Sequence, residues 1–299
     1  MKLKLVLLYL LFFNLFVSQI KKDSTFTIAS EYKKNISKYP FIKDVIIAEN
    51  NLEKQFNVVY DTSSGRNLHL DAFINPSKEK LPALIIIHGG GWKSGTKEMQ
   101  NPMAEKIATV GYQTFTIEYR LSDEAIFPAA TDDVMTAIRY LKKNAKKLKI
   151  DTKKIAVLGT SSGAQMASLI GTKYPNEIQA VINIDGVLAF HHPDSAEGKS
   201  AALFLGGTYE EKPKIWNEAS ALSHVSKKTP PFLFIHSQFK RFNAGREDFI
   251  KKLNEYQIYS QVESIENSPH AFWLFEPWFE TTTNYVINFL NLNFKKNKK

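Results

Sequence analysis

The sequence predicts an α/β protein: a mostly parallel sheet covered by helices on both faces, with antiparallel strands on its N-terminal side. Three observations predict it. From residue 83 onward, short continuous apolar runs alternate with stretches of helical period. A strand that is apolar at every position is buried on both faces, as parallel strands under helices are. Residues 41–75 instead show strand runs that include strict alternation, separated by a turn, the pattern of antiparallel strands with one wet face. Finally, Gly159-Thr160-Ser161-Ser162-Gly163 stands between the apolar run 155–158 and a helical pattern, so it marks a sharp strand-to-helix turn.

The elements follow in order. Residues 43–47, 55–60 and 67–73 read as strands, the last two joined through Ser63-Ser64-Gly65-Arg66. A buried strand over 83–87 precedes a helix over 102–110 and a strand over 113–117. The helix over 130–147 places Val134, Ala137, Ile138 and Leu141 on one face. Strand 155–158, helix 162–173 and strand 180–184 come next. Strand 232–235, helix 247–256, strand 259–265 and a helix over 282–292 complete the chain. No repeat or long low-complexity linker interrupts this order, so residues 24–294 are expected to form a single domain, followed by a basic tail at 295–299.

The 299 residues are 43% hydrophobic and 23% charged, the balance of an ordinary globular protein with a large core. Lys2 and Lys4 precede an apolar run over 5–17 that is interrupted by Asn14. This basic start, short apolar stretch and polar follow-on read as a signal peptide over residues 1–18. A membrane anchor would need about 20 apolar residues, so no stable anchor is expected once the signal is removed. The expected location is secreted or periplasmic. The chain has no cysteine, which excludes disulfides and a lipid-modified cysteine. Its net charge of +9 comes partly from lysines clustered over 142–154 and at the end. No aromatic residues interleave them, so they read as a solvated face and not as a nucleic-acid surface. Attraction to an acidic polysaccharide is compatible with this charge.

Ligands of open parallel sheets gather at the carboxyl ends of the strands, and chemically useful residues fall there. Ser161, in the G-x-S-x-G turn, is the candidate nucleophile. His88-Gly89-Gly90-Gly91-Trp92 follows strand 83–87, and glycines let backbone N–H groups approach a developing oxyanion. Gly90 and Gly91 are the candidate donors, with the Ser162 N–H as the third. Of seven histidines, His270 alone combines a late position with a loop after the last strand, which suits a general base.

These segments resemble the α/β-hydrolase fold, in its hormone-sensitive-lipase-like and secreted carbohydrate-esterase branches. The resemblance spans roughly residues 81–292 and includes His88 to Trp92, Tyr119-Arg120-Leu121, Phe127-Pro128-Ala129 with Asp133, the serine turn, and His270-Ala271-Phe272-Trp273. It implies Ser161 as nucleophile, His270 as base and then acid, and the glycine loop as oxyanion hole. Arg120 and Asp133 are implied to form a structural ion pair. The family's acid usually follows the strand equivalent to 232–235. Here that stretch carries Lys240 and Arg241, and a cation there would oppose the imidazolium formed on His270. Two replacements satisfy the chain order: Asp185 at the end of strand 180–184, which is the preferred one, or the pair Glu247 and Asp248.

The expected function is therefore an exported serine esterase acting on short acyl esters, acetyl above all, carried by polysaccharide or oligosaccharide. Its expected partner is an ester substrate, an acylated carbohydrate; nucleic acid is not expected. No metal or organic cofactor is called for. Trp92 and Trp273, with Trp278, are candidates for stacking on sugar rings, or else core residues. A lipase, a feruloyl-type esterase or a serine peptidase would share the fold. A non-catalytic binding module would not need Ser161, the glycine loop and His270 together.

Overall fold

The computed structural model describes residues 25–295, apart from residue 197. The expected signal peptide and residues 296–299 of the tail lie outside the described residues.

Helix α1 (Ile28–Asn35) comes first and carries no clear sequence signal, because it spans only 8 residues. It starts where Thr27 and Ser30 bond each other's backbone N–H groups in a capping box. Its apolar residues Ile28 and Tyr32 pack onto the core. Strand β1 (Lys43–Asp44) is two residues long and pairs with a distant segment near the C-terminus. The expected strand over 43–47 is therefore shorter, and it does not join the main sheet. Val45 and Ile47 pack inward while Ile46 is 89% exposed, so the alternation is real without a ladder behind it.

The remaining elements are β2 (Glu53–Asp61), β3 (Leu68–Ile74), β4 (Leu81–Ile87), α2 (Asn101–Thr109), β5 (Gln113–Ile117), α3 (Ala129–Lys143), β6 (Ile150–Thr160), α4 (Ser162–Lys173), β7 (Ala180–Ile184), α5 (Gly198–Leu205), α6 (Pro213–Ala219), β8 (Phe232–His236), α7 (Arg246–Glu255), β9 (Ser260–Ser264), β10 (Phe275–Glu276) and α8 (Trp278–Phe294). Eight strands form one sheet in the order β2-β3-β5-β4-β6-β7-β8-β9. Pairing is antiparallel from β2 through β3 to β5 and parallel from there to β9. Helix α3 stops before residue 147, and at its end the Asn144 side-chain amide donates to the Tyr140 carbonyl at 2.8 Å.

The period of two along each strand divides the core. Ile85 and Ile87 join one apolar cluster, with α3, α4 and α7; Leu84 and Ile86 join the other, with α2 and α8. One ion pair lies inside: Lys97 Nζ is 2.7 Å from Asp71 Oδ1, and both side chains are 1% exposed. Asp71 also accepts from the Asn57 N–H and from Asn101 Nδ2, at 2.8 and 2.9 Å. Burial pushes the Lys97 ammonium down, but Asp71 and Glu98 outweigh it and hold the group above the ordinary lysine range.

Register positions the functional edge. Thr160 pairs with Ile184, and Ile184 with Ile235, so the residues just past these strand ends emerge side by side.

Candidate active site

Ser161 occupies the tip of the turn between β6 and α4 with φ 53° and ψ −121°, a backbone region that a non-glycine residue rarely adopts. The Ser161 N–H donates to the Ile184 carbonyl at 2.8 Å, which ties the strained turn to the neighbouring strand. Gly163 permits the close approach of α4 to β4: a Cβ there would collide with the carbonyl oxygens of Ile87 and His88.

His270, on the loop after β9, lies with Nε2 2.9 Å from Ser161 Oγ and Nδ1 2.7 Å from Asp185 Oδ2. A carboxylate only accepts, so Nδ1 carries the proton and Nε2 is left to accept from the serine hydroxyl. Asp185 is 1% exposed. Its Oδ1 accepts from the Ser237 N–H at 3.0 Å, and its Oδ2 also accepts from Ser237 Oγ at 2.5 Å. Three donors thus fix the buried carboxylate and offset its desolvation.

The alternative acids point elsewhere. The Glu247 side chain is 78% exposed and pairs with Arg246; that of Asp248 is 62% exposed and approaches His192 at 3.3 Å. The loop after β8 therefore supplies no acid here and holds the one from β7 through Ser237. Lys240 and Arg241 stand on the exposed side of this loop. The Arg241 guanidinium lies 4.2 Å from the centroid of Phe242, whose ring stacks on His270 at 3.4 Å and 10°. Two groups that close cannot share one ring face, so Phe242 separates the arginine from the imidazole. The cation that the sequence set against His270 is held off by an aromatic ring.

The glycine loop after β4 has φ 131° at Gly90 and 61° at Gly91. Ser94 anchors it through its N–H and Oγ, which both donate to the Gly90 carbonyl, at 3.1 and 2.9 Å. Beneath it, Tyr119 Oη donates to the His88 carbonyl at 3.0 Å and stacks on the His88 ring. Burial pushes the Tyr119 phenol up, so it remains a donor. The N–H groups of Gly90 and Gly91 enter no turn or loop backbone hydrogen bond among the described residues. The expected ion pair between Arg120 and Asp133 is present, with Nε and Nη2 at 3.1 and 2.6 Å from Asp133 Oδ1.

Two hollows meet at Ser161. A notch of about 20 Å³ is bounded by Gly91, Trp92, Ser162, Val187 and Phe242. A wider cleft of about 330 Å³ runs past Gly90, Gly91 and His270 to α1 and Arg241. Trp92 and Trp273 do not offer stacking faces. They are 2% and 1% exposed, Trp92 being stacked on Phe204 with its Nε1 on Gln165, and Trp273 set edge-on to His270. Trp92 enters the site only as a wall of the notch. Sequence reading missed Ser237 and Phe242. Ser237 had one signal, its place directly after a sheet strand; Phe242 had none, because stacking on a residue 28 positions later leaves no local pattern.

A mainly parallel eight-stranded sheet, a serine on a strand-to-helix turn, and a histidine and buried aspartate in line with it define the α/β-hydrolase class of esterase folds. Within that class the chain belongs to the BD-FAE family, whose model matches residues 70–241, more than half of the 299 residues. Esterase LipC of Mycobacterium tuberculosis is 29% identical over 174 residues, covering 52% of this chain and 43% of LipC. The match thus spans less than half the length of that relative. A bifunctional GH43-CE protein of Bacteroides eggerthii has a TM-score of 0.68 at 22% identity, covering 81% of this chain and 38% of that one. A thermostable esterase from Pseudomonas putida ECU1011 has a TM-score of 0.71 at 17% identity, covering 91% of this chain and 92% of its own. At these identities the structural likeness shows the fold.

Proposed function

We propose that the protein is an exported serine esterase that removes short acyl groups, acetyl above all, from carbohydrate esters. One observation carries the hydrolytic part: the hydrogen-bonded line from Ser161 Oγ through His270 to Asp185. In this reading Ser161 Oγ attacks the ester carbonyl as His270 Nε2 takes its proton. The oxyanion is held by the N–H groups of Gly90, Gly91 and Ser162. His270 then returns the proton to the departing alcohol, leaving an acyl group on Ser161. Water attacks that acyl-enzyme with His270 again as base, releasing the acid and restoring the serine. Asp185 keeps the imidazole in the accepting tautomer and stabilises the imidazolium.

The notch beside Ser161 supports a small acyl group. It is the smaller of the two hollows at Ser161, about 20 Å³ against about 330 Å³, and Trp92, Val187 and Phe242 wall it. The carbohydrate part is supported by the likeness to the GH43-CE protein and by the polar residues lining the cleft, which include Glu31, Lys34, Ser94 and Arg241. Export rests on the N-terminal sequence pattern alone.

The test is hydrolysis of p-nitrophenyl acetate, butyrate and octanoate by the wild type and by Ser161→Ala. The expected result is a preference for acetate, lost in the variant while the thermal melt is unchanged. Wild-type rates in Ser161→Ala would overturn the mechanism; a preference for octanoate would overturn the acyl assignment.

A further inference from the structure

The family match begins at residue 70, yet one wall of the cleft comes from before it. Thr25, Phe26, Glu31 and Lys34 line the same hollow as Ser161, His270 and Arg241. Helix α1 is held firmly there by its capping box and by Ile28 and Tyr32 in the core. Glu31 is the unusual member. Its side chain is 8% exposed, while its partner Lys34 is 67% exposed, with Nζ 3.2 Å from each carboxylate oxygen. The Asn35 amide reaches one oxygen at 3.4 Å.

A bland account exists: acid in the first turn of a helix, paired with a lysine three residues on. Such a pair works equally well on the solvent side of a helix, where the carboxylate keeps its water. Desolvating a carboxylate costs far more than an exposed i,i+3 pair returns. α1 instead places its acid on the wall of the cleft that reaches Ser161. A carboxylate accepts about four hydrogen bonds, and among the described residues Lys34 and Asn35 are the side chains that donate to Glu31. Arg241 lines the same cleft and, among the described residues, has no acidic partner; its contact is the face of Phe242.

We propose that α1 and the loop carrying Arg241 form a leaving-group subsite for a polyhydroxylated alcohol, with Glu31 as the residue that selects it. The Glu31 carboxylate accepts from hydroxyls of the sugar that bears the ester, and the Arg241 guanidinium donates to its ring or hydroxyl oxygens. An aryl or alkyl leaving group has no hydroxyl to offer and gains nothing from this wall. This inference rests on the esterase reading above and names the part of the site that makes it a carbohydrate esterase.

The experiment compares kcat/KM on a mono-O-acetylated disaccharide, acetylcellobiose, with that on p-nitrophenyl acetate, for the wild type, Glu31→Gln and Glu31→Ala. The expected result is a fall in the ratio of the two by about 10-fold or more in Glu31→Ala, mostly in KM, as loss of a hydrogen bond to a charged group predicts. Glu31→Gln keeps the shape and one acceptor, and is expected to fall between. A lowered thermal midpoint with an unchanged ratio in both variants would make Glu31 a helix-stabilising residue and overturn the proposal. A wild type that cleaves p-nitrophenyl acetate but not the acetylated disaccharide would overturn the carbohydrate reading itself, and this subsite with it.

Discussion

Replacing Asp185 by Asn tests whether the carboxylate acts by fixing a tautomer. The asparagine has two orientations. In one, its oxygen keeps the Ser237 N–H that Asp185 Oδ1 accepts at 3.0 Å, and its amide nitrogen faces His270 Nδ1 and Ser237 Oγ. Every group is then satisfied if the hydroxyl accepts and Nδ1 gives up its proton. In the other, the amide nitrogen opposes the Ser237 N–H, donor against donor, at a site 1% exposed. Leaving a buried donor unsatisfied costs about 1–3 kcal/mol, so the first orientation dominates. The imidazole proton then sits on Nε2 and points at Ser161 Oγ, which has nothing to accept its proton. The expected loss in kcat is about 10³–10⁴-fold, or roughly 4–5.5 kcal/mol of barrier. The assay is p-nitrophenyl acetate hydrolysis under saturating substrate, with a melting curve to verify folding. Activity within about tenfold of the wild type would refute the reasoning, and a collapse in Asp248→Asn with Asp185→Asn unaffected would move the acid to α7.

Ser237→Ala removes one of the two hydrogen bonds from Ser237 to Asp185 and leaves the backbone one; kcat is expected to fall about 10-fold with little change in KM, and an unchanged kcat would remove Ser237 from the site. Lys97→Met leaves Asp71 charged and buried without its cation, and a loss of about 3–5 kcal/mol is expected in urea unfolding. The folded-state pKa of Lys97 is raised, so in the wild type its stabilisation is complete below the unfolded lysine value of about 10.4 and is lost as pH climbs through the higher folded value. Stability that declined instead between pH 9 and 7 would contradict this sign.

Most of the sheet was readable because β4, β6, β7 and β8 each carry their own burial signature in consecutive apolar residues, such as Ala83 to Ile87. Helices α5 and α6 were not, since 8 and 7 residues are too few to establish a period. Their apolar residues Phe204 and Trp216 are buried nonetheless, in an aromatic cluster with Phe190. The tryptophans mislead for a related reason: composition and loop position do not tell which way a side chain faces. Trp92, with φ 62° just after the glycines, is buried against Phe204.

The sequence by itself marked the candidate nucleophile, the candidate base and the glycine loop, because each is flagged by residues adjacent in the chain: glycines around Ser161, glycines before Trp92, a proline beside His270. The choice of acid was a matter for the tertiary structure. Asp185, Glu247 and Asp248 all satisfy the chain order, and only the register of β6, β7 and β8 brings one of them to His270, 85 residues away. The Ser237 clamp, the Phe242 shield and the Glu31 wall belong with it. Each is a contact between segments distant in sequence, and local pattern carries no record of which distant surfaces the packing of a common core will bring together.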